Sequence, residues 1–252
     1  MKKIILSVAM IAAVAAVAIG ATTAYFSDVE TSTGNTFTAG AIDLTVDSTQ
    51  HYNGNVCQLV QHETGAPAVY EWVGTDLYPV PGTTCDGTWT ATNLGASHKF
   101  FNFADVKPGD SGEDTISLHI DNNDAWMRLV IKDVANLDNS CNEPEQGAEP
   151  ACLSNNVGEL GQNLLFSVFT DANCDNILND TDQTLISEGT IDLQGETWAL
   201  PTPLKANTTT CYGVTWKLPS TVGNEVQTDS MTATMEFQVE QYRNNAIGFD
   251  GV

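Results

Sequence analysis

Met231-Thr232-Ala233-Thr234-Met235-Glu236-Phe237-Gln238-Val239-Glu240 alternates without a break, with every odd position apolar and every even one polar. Successive side chains of an extended strand point to opposite faces, so this period of two predicts a strand with one face buried and the other wet. Ile116, Leu118 and Ile120 alternate in the same way, as do Val214, Trp216 and Leu218, while Met127, Leu129 and Ile131 face away from Arg128 and Lys132. The run Leu164-Leu165-Phe166-Ser167-Val168-Phe169 is more continuously apolar and suits a strand inside a sheet. Clusters of Gly, Pro, Asn and Asp separate these segments, and long helical periodicity is almost absent. The pattern predicts an all-β chain, a β-sandwich with long loops, forming one domain over residues 36–252 with its first strand at 36–46.

The N-terminus predicts export. Lys2 and Lys3 precede an apolar run over residues 4–19, and Thr22-Thr23-Ala24 has the small residues of a cleavage site. Cleavage between Ala24 and Tyr25 would remove residues 1–24 as a signal peptide. The other reading is a retained anchor, but sixteen residues fall short of the roughly 20 that span a bilayer as a helix. A pilin-like subunit would instead be cut before the apolar run, and no small residue stands at that junction. Six cysteines in an exported chain read as three disulfides, with fifteen pairings open. Locality favours Cys57 with Cys85, Cys141 with Cys152 and Cys174 with Cys211. The first would staple an insertion at about 48–98, and the second a loop at 142–151. No Cys-x-x-Cys or Cys/His spacing of a metal cluster occurs.

Behind the leader stand Tyr25-Phe26-Ser27-Asp28 and then Gly34-Asn35-Thr36-Phe37-Thr38-Ala39-Gly40-Ala41-Ile42-Asp43-Leu44. A second block runs from Phe103 through Lys107-Pro108-Gly109-Asp110 to Leu118, followed by Asn122-Asn123-Asp124-Ala125-Trp126. Together they resemble the TasA/camelysin family of secreted fibre subunits. The resemblance implies a jelly-roll-like sandwich, a dedicated signal peptidase and extracellular filaments of the biofilm-matrix or bundling-pilus type. In such filaments the N-terminal segment of one copy completes the sheet of the next. Here that donor segment would be residues 25–35, led by Tyr25, Phe26, Ser27, Asp28, Val29 and Glu30. Main-chain hydrogen bonds give such an added strand its affinity and side-chain pockets its specificity. Head-to-tail donation does not close on itself, so it propagates. The partners expected are therefore copies of this chain, joined by other matrix or cell-surface proteins, in a secreted, extracellular setting.

Charge fits that setting. Nine Lys and Arg against 32 Asp and Glu give a net charge of −23, which becomes −25 once Lys2 and Lys3 leave with the leader. Nucleic acid and, after cleavage, the anionic membrane surface are excluded as partners by that sign. Self-repulsion would make subunit packing depend on ionic strength or divalent cations; keeping an exported protein soluble is the plainer use of the same charge.

One loop has cation-binding spacing. Asp171, Asn173, Asp175, Asn179 and Asp182 stand at loop positions one, three, five, nine and twelve, with Ile177 placed to offer a carbonyl. Ca2+ is the cofactor such a set would take. Asn176 replaces the turn glycine and Asp182 the bidentate Glu of an EF-hand, so an acidic Asx-rich turn stands as the other reading. Camelysin relatives are described as metallopeptidases, yet His51, His62, His98 and His119 share no helical spacing and no His-Glu-x-x-His is present. No Gly-x-Ser-x-Gly elbow occurs either. A non-enzyme is expected, with a secreted metallopeptidase or a non-polymerising adhesin as alternatives. The adhesin would use Tyr52, Tyr70, Trp72, Tyr78 and Trp89 on carbohydrate, unless these aromatics form a small core of their own.

Overall fold

A computed structural model of the chain describes residues 42–152, 154, 156–175, 177–190, 196–245 and 247–249. The leader 1–24, the Ala24/Tyr25 cleavage point, the donor segment 25–35 and Asn176 lie outside the described residues. Among the described residues eleven strands follow one another: β1 Leu44–Tyr52, β2 Asn55–Val60, β3 Val69–Val73, β4 Trp89–Thr92, β5 Ser111–Ile120, β6 Ala125–Asp138, β7 Leu165–Asp171, β8 Thr184–Gly189, β9 Glu196–Ala199, β10 Thr208–Lys217 and β11 Asp229–Gln241. Two short helices, α1 Glu143–Ala148 and α2 Leu160–Asn163, lie between β6 and β7, and a 3-10 turn at Asn224–Val226 precedes β11.

The strands form two antiparallel sheets. The larger has the order β3-β2-β1-β5-β10-β7-β8, with β4 beside β1; the smaller is β11-β6-β9. From β5 onward the chain passes back and forth between the sheets, which is the jelly-roll-like feature of the sandwich. Ile116, Leu118, Ile120, Tyr212 and Val214 of the larger sheet pack with Ala125 and Met127 of the smaller, all buried, and Phe237 and Val239 close over them. The alternation at 116–120, 127–131 and 214–218 is therefore core-facing, as read from the sequence.

β1 departs from the expected 36–46. It continues to Tyr52, nine residues in unbroken register with β5 from Leu44↔Ile120 to Tyr52↔Gly112. The expected insertion boundary at 48 thus falls inside a strand. Ser48 and Gln50 hid this, because both are polar and both are buried. Gln50 is accommodated by hydrogen bonds: its N–H donates to Thr88 Oγ1 (3.0 Å) and its Nε2 donates to the Phe100 carbonyl.

The insertion itself begins at Asn53-Gly54, where φ values of 47° and 82° make the two-residue turn whose twist matches a hairpin. Beyond it Tyr52, Cys57, Trp72 and Trp216 make a second buried cluster, joined by Tyr78 and Phe103. Tyr52 meets Trp72, Tyr78 and Trp216 edge-on, with ring centroids at 6.1, 5.4 and 5.0 Å. The Pro108-Gly109-Asp110 turn fastens this cluster. Asp110 accepts from the Tyr52 hydroxyl at 2.8 Å, from Asn53 Nδ2 at 2.8 Å and from the Lys107 N–H at 2.7 Å. Cys57 is bonded to Cys85, Cys141 to Cys152 and Cys174 to Cys211, the pairs that locality favours.

Candidate functional site

The inner faces of the two sheets are unequally covered among the described residues. In β6, Met127, Leu129 and Ile131 are all buried, but the facing odd positions of β11 are not: Met231, Met235, Phe237 and Val239 are half-buried and Ala233 is exposed. The expectation that this alternating strand buries one whole face is therefore corrected. β7 shows the same incompleteness, since Leu165, Phe166 and Val168 are half-buried and only Phe169 on its apolar run is fully covered. The cause is a cleft of about 1670 Å³ between the sheets, bordered by Leu129 and Ile131 of β6, Met231 and Met235 of β11, Trp198 of β9 and Phe166 of β7. Full cover of each half-buried side chain would contribute on the order of 1 kcal/mol. Along the rim, β11 is bonded to β6 on one side and, among the described residues, to no strand on the other. An unpaired strand edge beside apolar pockets is the combination that accepts an added strand.

The adhesin aromatics are placed differently. Tyr52 and Trp72 are buried in the insertion's core, and Tyr78 packs on Tyr52. Trp89 packs on His98 and Phe100, and its Nε1 donates to the Val46 carbonyl at 3.1 Å. Tyr52, Tyr70, Trp72 and Tyr78 thus belong to the insertion's own cluster, whereas Trp89 packs against the main core of the sandwich.

The loop at 171–182 leaves the end of β7, tied by Cys174 to Cys211 on β10. Its oxygens are in use. Asp182 accepts the Ala172 N–H through Oδ1 at 2.8 Å and the Asn179 N–H through Oδ2 at 2.9 Å. Asp171 Oδ1 accepts from the Asp175 N–H at 3.1 Å, and Asp175 accepts from the Ile177 N–H at 3.0 Å and Asn173 Nδ2 at 2.7 Å. Asn179 Nδ2 donates to the Ile177 carbonyl at 3.1 Å. This is a chain of Asx turns, in which a carboxylate oxygen that accepts one N–H keeps a second lone pair. Next to it, burial and then the charges of Asp171 and Asp175 push the Glu113 carboxyl up to about 8.

The histidines lie apart on the fold. His62 Nε2 bonds Glu71 at 2.8 Å, His119 Nε2 bonds Asp47 at 2.6 Å, and His98 Nδ1 accepts the Gly95 N–H at 2.8 Å. Among the described residues no group of three convergent metal-ligating side chains contains a histidine or cysteine. The one such group is Asp138, Glu145 and Asp229, which the sequence reading missed because its members belong to β6, α1 and β11.

Residues 1–57 match the family model of the camelysin metallo-endopeptidases. No curated protein matches the chain. A catalytic zinc takes histidine-rich ligand sets with one open position, which the described histidines do not fit, and no hydrolytic step follows from them. The three disulfides and the camelysin-type segment together indicate an extracellular or surface protein. Over residues 1–57, which reach the start of β2, this chain is similar to the camelysin metallo-endopeptidases, and the match does not extend over the rest of the sandwich.

Proposed function

We propose that this chain is a structural subunit of an extracellular filament, in which residues 25–35 of one copy lie in the inter-sheet cleft of the next. The observation that carries this reading is the half-covered inner face of β11 beside an open strand edge. At about 3.3 Å per residue, an eleven-residue segment extends roughly 36 Å, and β11 with its 13 residues roughly 43 Å. The donor therefore fits along the acceptor strand, with Tyr25 and Phe26 as the bulky groups for its pockets. Signal cleavage at Ala24/Tyr25 would release the donor. The family description is the support for a peptidase, and the described residues add none to it.

Negative-stain electron microscopy tests the proposal. The chain beginning at Tyr25 should form filaments, while a chain lacking residues 25–35 and a Met231→Arg, Met235→Arg variant should stay monomeric. Filaments from the truncated chain, or monodisperse particles from every chain, would overturn it.

A further inference from the structure

Asp138 at the end of β6, Glu145 in α1 and Asp229 at the start of β11 each bring one carboxylate oxygen within 4.8 Å of the others. Glu145 is fully buried and Asp138 is 7 % exposed. Neither oxygen of Asp138 has a hydrogen-bond partner, and neither do Glu145 Oε1 and Asp229 Oδ1. The remaining oxygens are anchored. Asp229 Oδ2 accepts the N–H groups of Glu159 at 2.5 Å and Leu160 at 2.8 Å. Glu145 Oε2 accepts the Asn142 N–H at 3.2 Å and lies 3.1 Å from the Thr228 hydroxyl, whose proton it shares with the Ser140 carbonyl. Asn142 caps α1 in return by accepting the Glu145 N–H at 3.0 Å, and the helix lies within the loop closed by Cys141 and Cys152.

Three carboxylates are thus gathered with four oxygens unpartnered. Among the described residues no lysine or arginine forms an ion pair with them. Burying such groups without a compensating charge costs several kcal/mol each. A positive ion at the shared point removes that cost. All donors are hard oxygens, which excludes a preference for zinc or copper, and Ca2+ tolerates the mixed denticity and irregular geometry that three carboxylates on three elements impose, whereas Mg2+ demands a near-ideal octahedron. Donors that fix the second oxygen of a ligating carboxylate are the usual outer shell of a metal site.

We propose that Asp138, Glu145 and Asp229 bind one Ca2+ ion, which clamps the end of the smaller sheet to the disulfide-closed loop bearing α1. The full-length chain, stripped with EDTA and dialysed, is titrated with Ca2+ by calorimetry. One site should be lost in Asp138→Asn and in Asp229→Asn and kept in Asp182→Asn. At a hundredfold excess over Kd, Ca2+ should raise the Tm of the wild type by about 5–10 °C and leave that of Asp138→Asn unmoved. Hydrogen exchange of the wild type gives a test that needs no variant: Ca2+ should slow exchange at 136–148 and 226–231. No Ca2+ binding by the wild type, binding unchanged in Asp138→Asn and Asp229→Asn, or protection confined to 171–182 would each overturn the proposal.

Discussion

The loop at 171–182 and the group formed by Asp138, Glu145 and Asp229 are both acidic, and they are built in opposite ways. In the loop, carboxylates close in sequence have turned inward on their own backbone, and Asp182 alone stabilises two N–H groups. In the group, carboxylates far apart in sequence meet through the pairing of β6 with β11, which puts Asp138 opposite Asp229, and four of their oxygens have no donor. Spacing along a chain supplies oxygens, but nearby backbone N–H groups compete for them. Convergence of long-range neighbours leaves the oxygens free and makes the lack of a counter-charge costly.

The disulfide that ties the loop to β10 should have the largest effect. Replacing Cys174 and Cys211 by Ser should cost about 3 kcal/mol in denaturant unfolding, because it frees a closed segment with a sequence separation of 37. The same change should leave the Ca2+ titration intact if the two acidic regions are independent.

Glu113 beside the loop gives a pH test. Its carboxyl is raised from 4.5 to about 8, by burial first and then by Asp171 and Asp175. The stability from keeping it protonated is fully present below about pH 4.5 and is lost as pH rises through about 8. Between pH 5 and 9 the wild type should lose roughly 3 kcal/mol more than Glu113→Gln, measured as urea midpoints at each pH.

In chelator the two regions should respond with opposite sign. Asp182→Ala removes an acceptor from two backbone N–H groups and should cost about 2 kcal/mol. Asp138→Asn removes a buried charge that lacks a donor and should be neutral or stabilising by up to about 1 kcal/mol. Thermal melts in EDTA measure both. If Asp138→Asn is as costly as Asp182→Ala, the contrast fails.

The smallest change is Asn142→Ala, which breaks the cap of α1 and should cost about 1 kcal/mol. It should also weaken Ca2+ binding, because the Asn142 side chain accepts the Glu145 N–H and so fixes the helix turn that carries Glu145.

Much of the frame was legible. Met127, Leu129 and Ile131, and likewise Val214, Trp216 and Leu218, are buried where their alternation placed them, since a two-residue period is a property of the strand itself. The Asn53-Gly54 turn had a readable signal that the sequence analysis passed over, and with it the true end of β1. Gln50 carried no such signal, because its side chain enters the core by donating to a distant atom, the Phe100 carbonyl, and Ser48 beside it is buried with its hydroxyl unpartnered.

By itself the sequence determined that this chain is all-β, that its six cysteines are spaced for local pairing and that residues 1–57 match the camelysin model. These follow from periods, spacings and a local motif, all of which act between near neighbours. Only the tertiary structure decided that β11 would face an open cleft and that Asp138, Glu145 and Asp229 would converge. Both depend on how two sheets approach each other. Cover and convergence are set by residues distant along the chain, and an alternating pattern says which side faces inward without saying what meets it there.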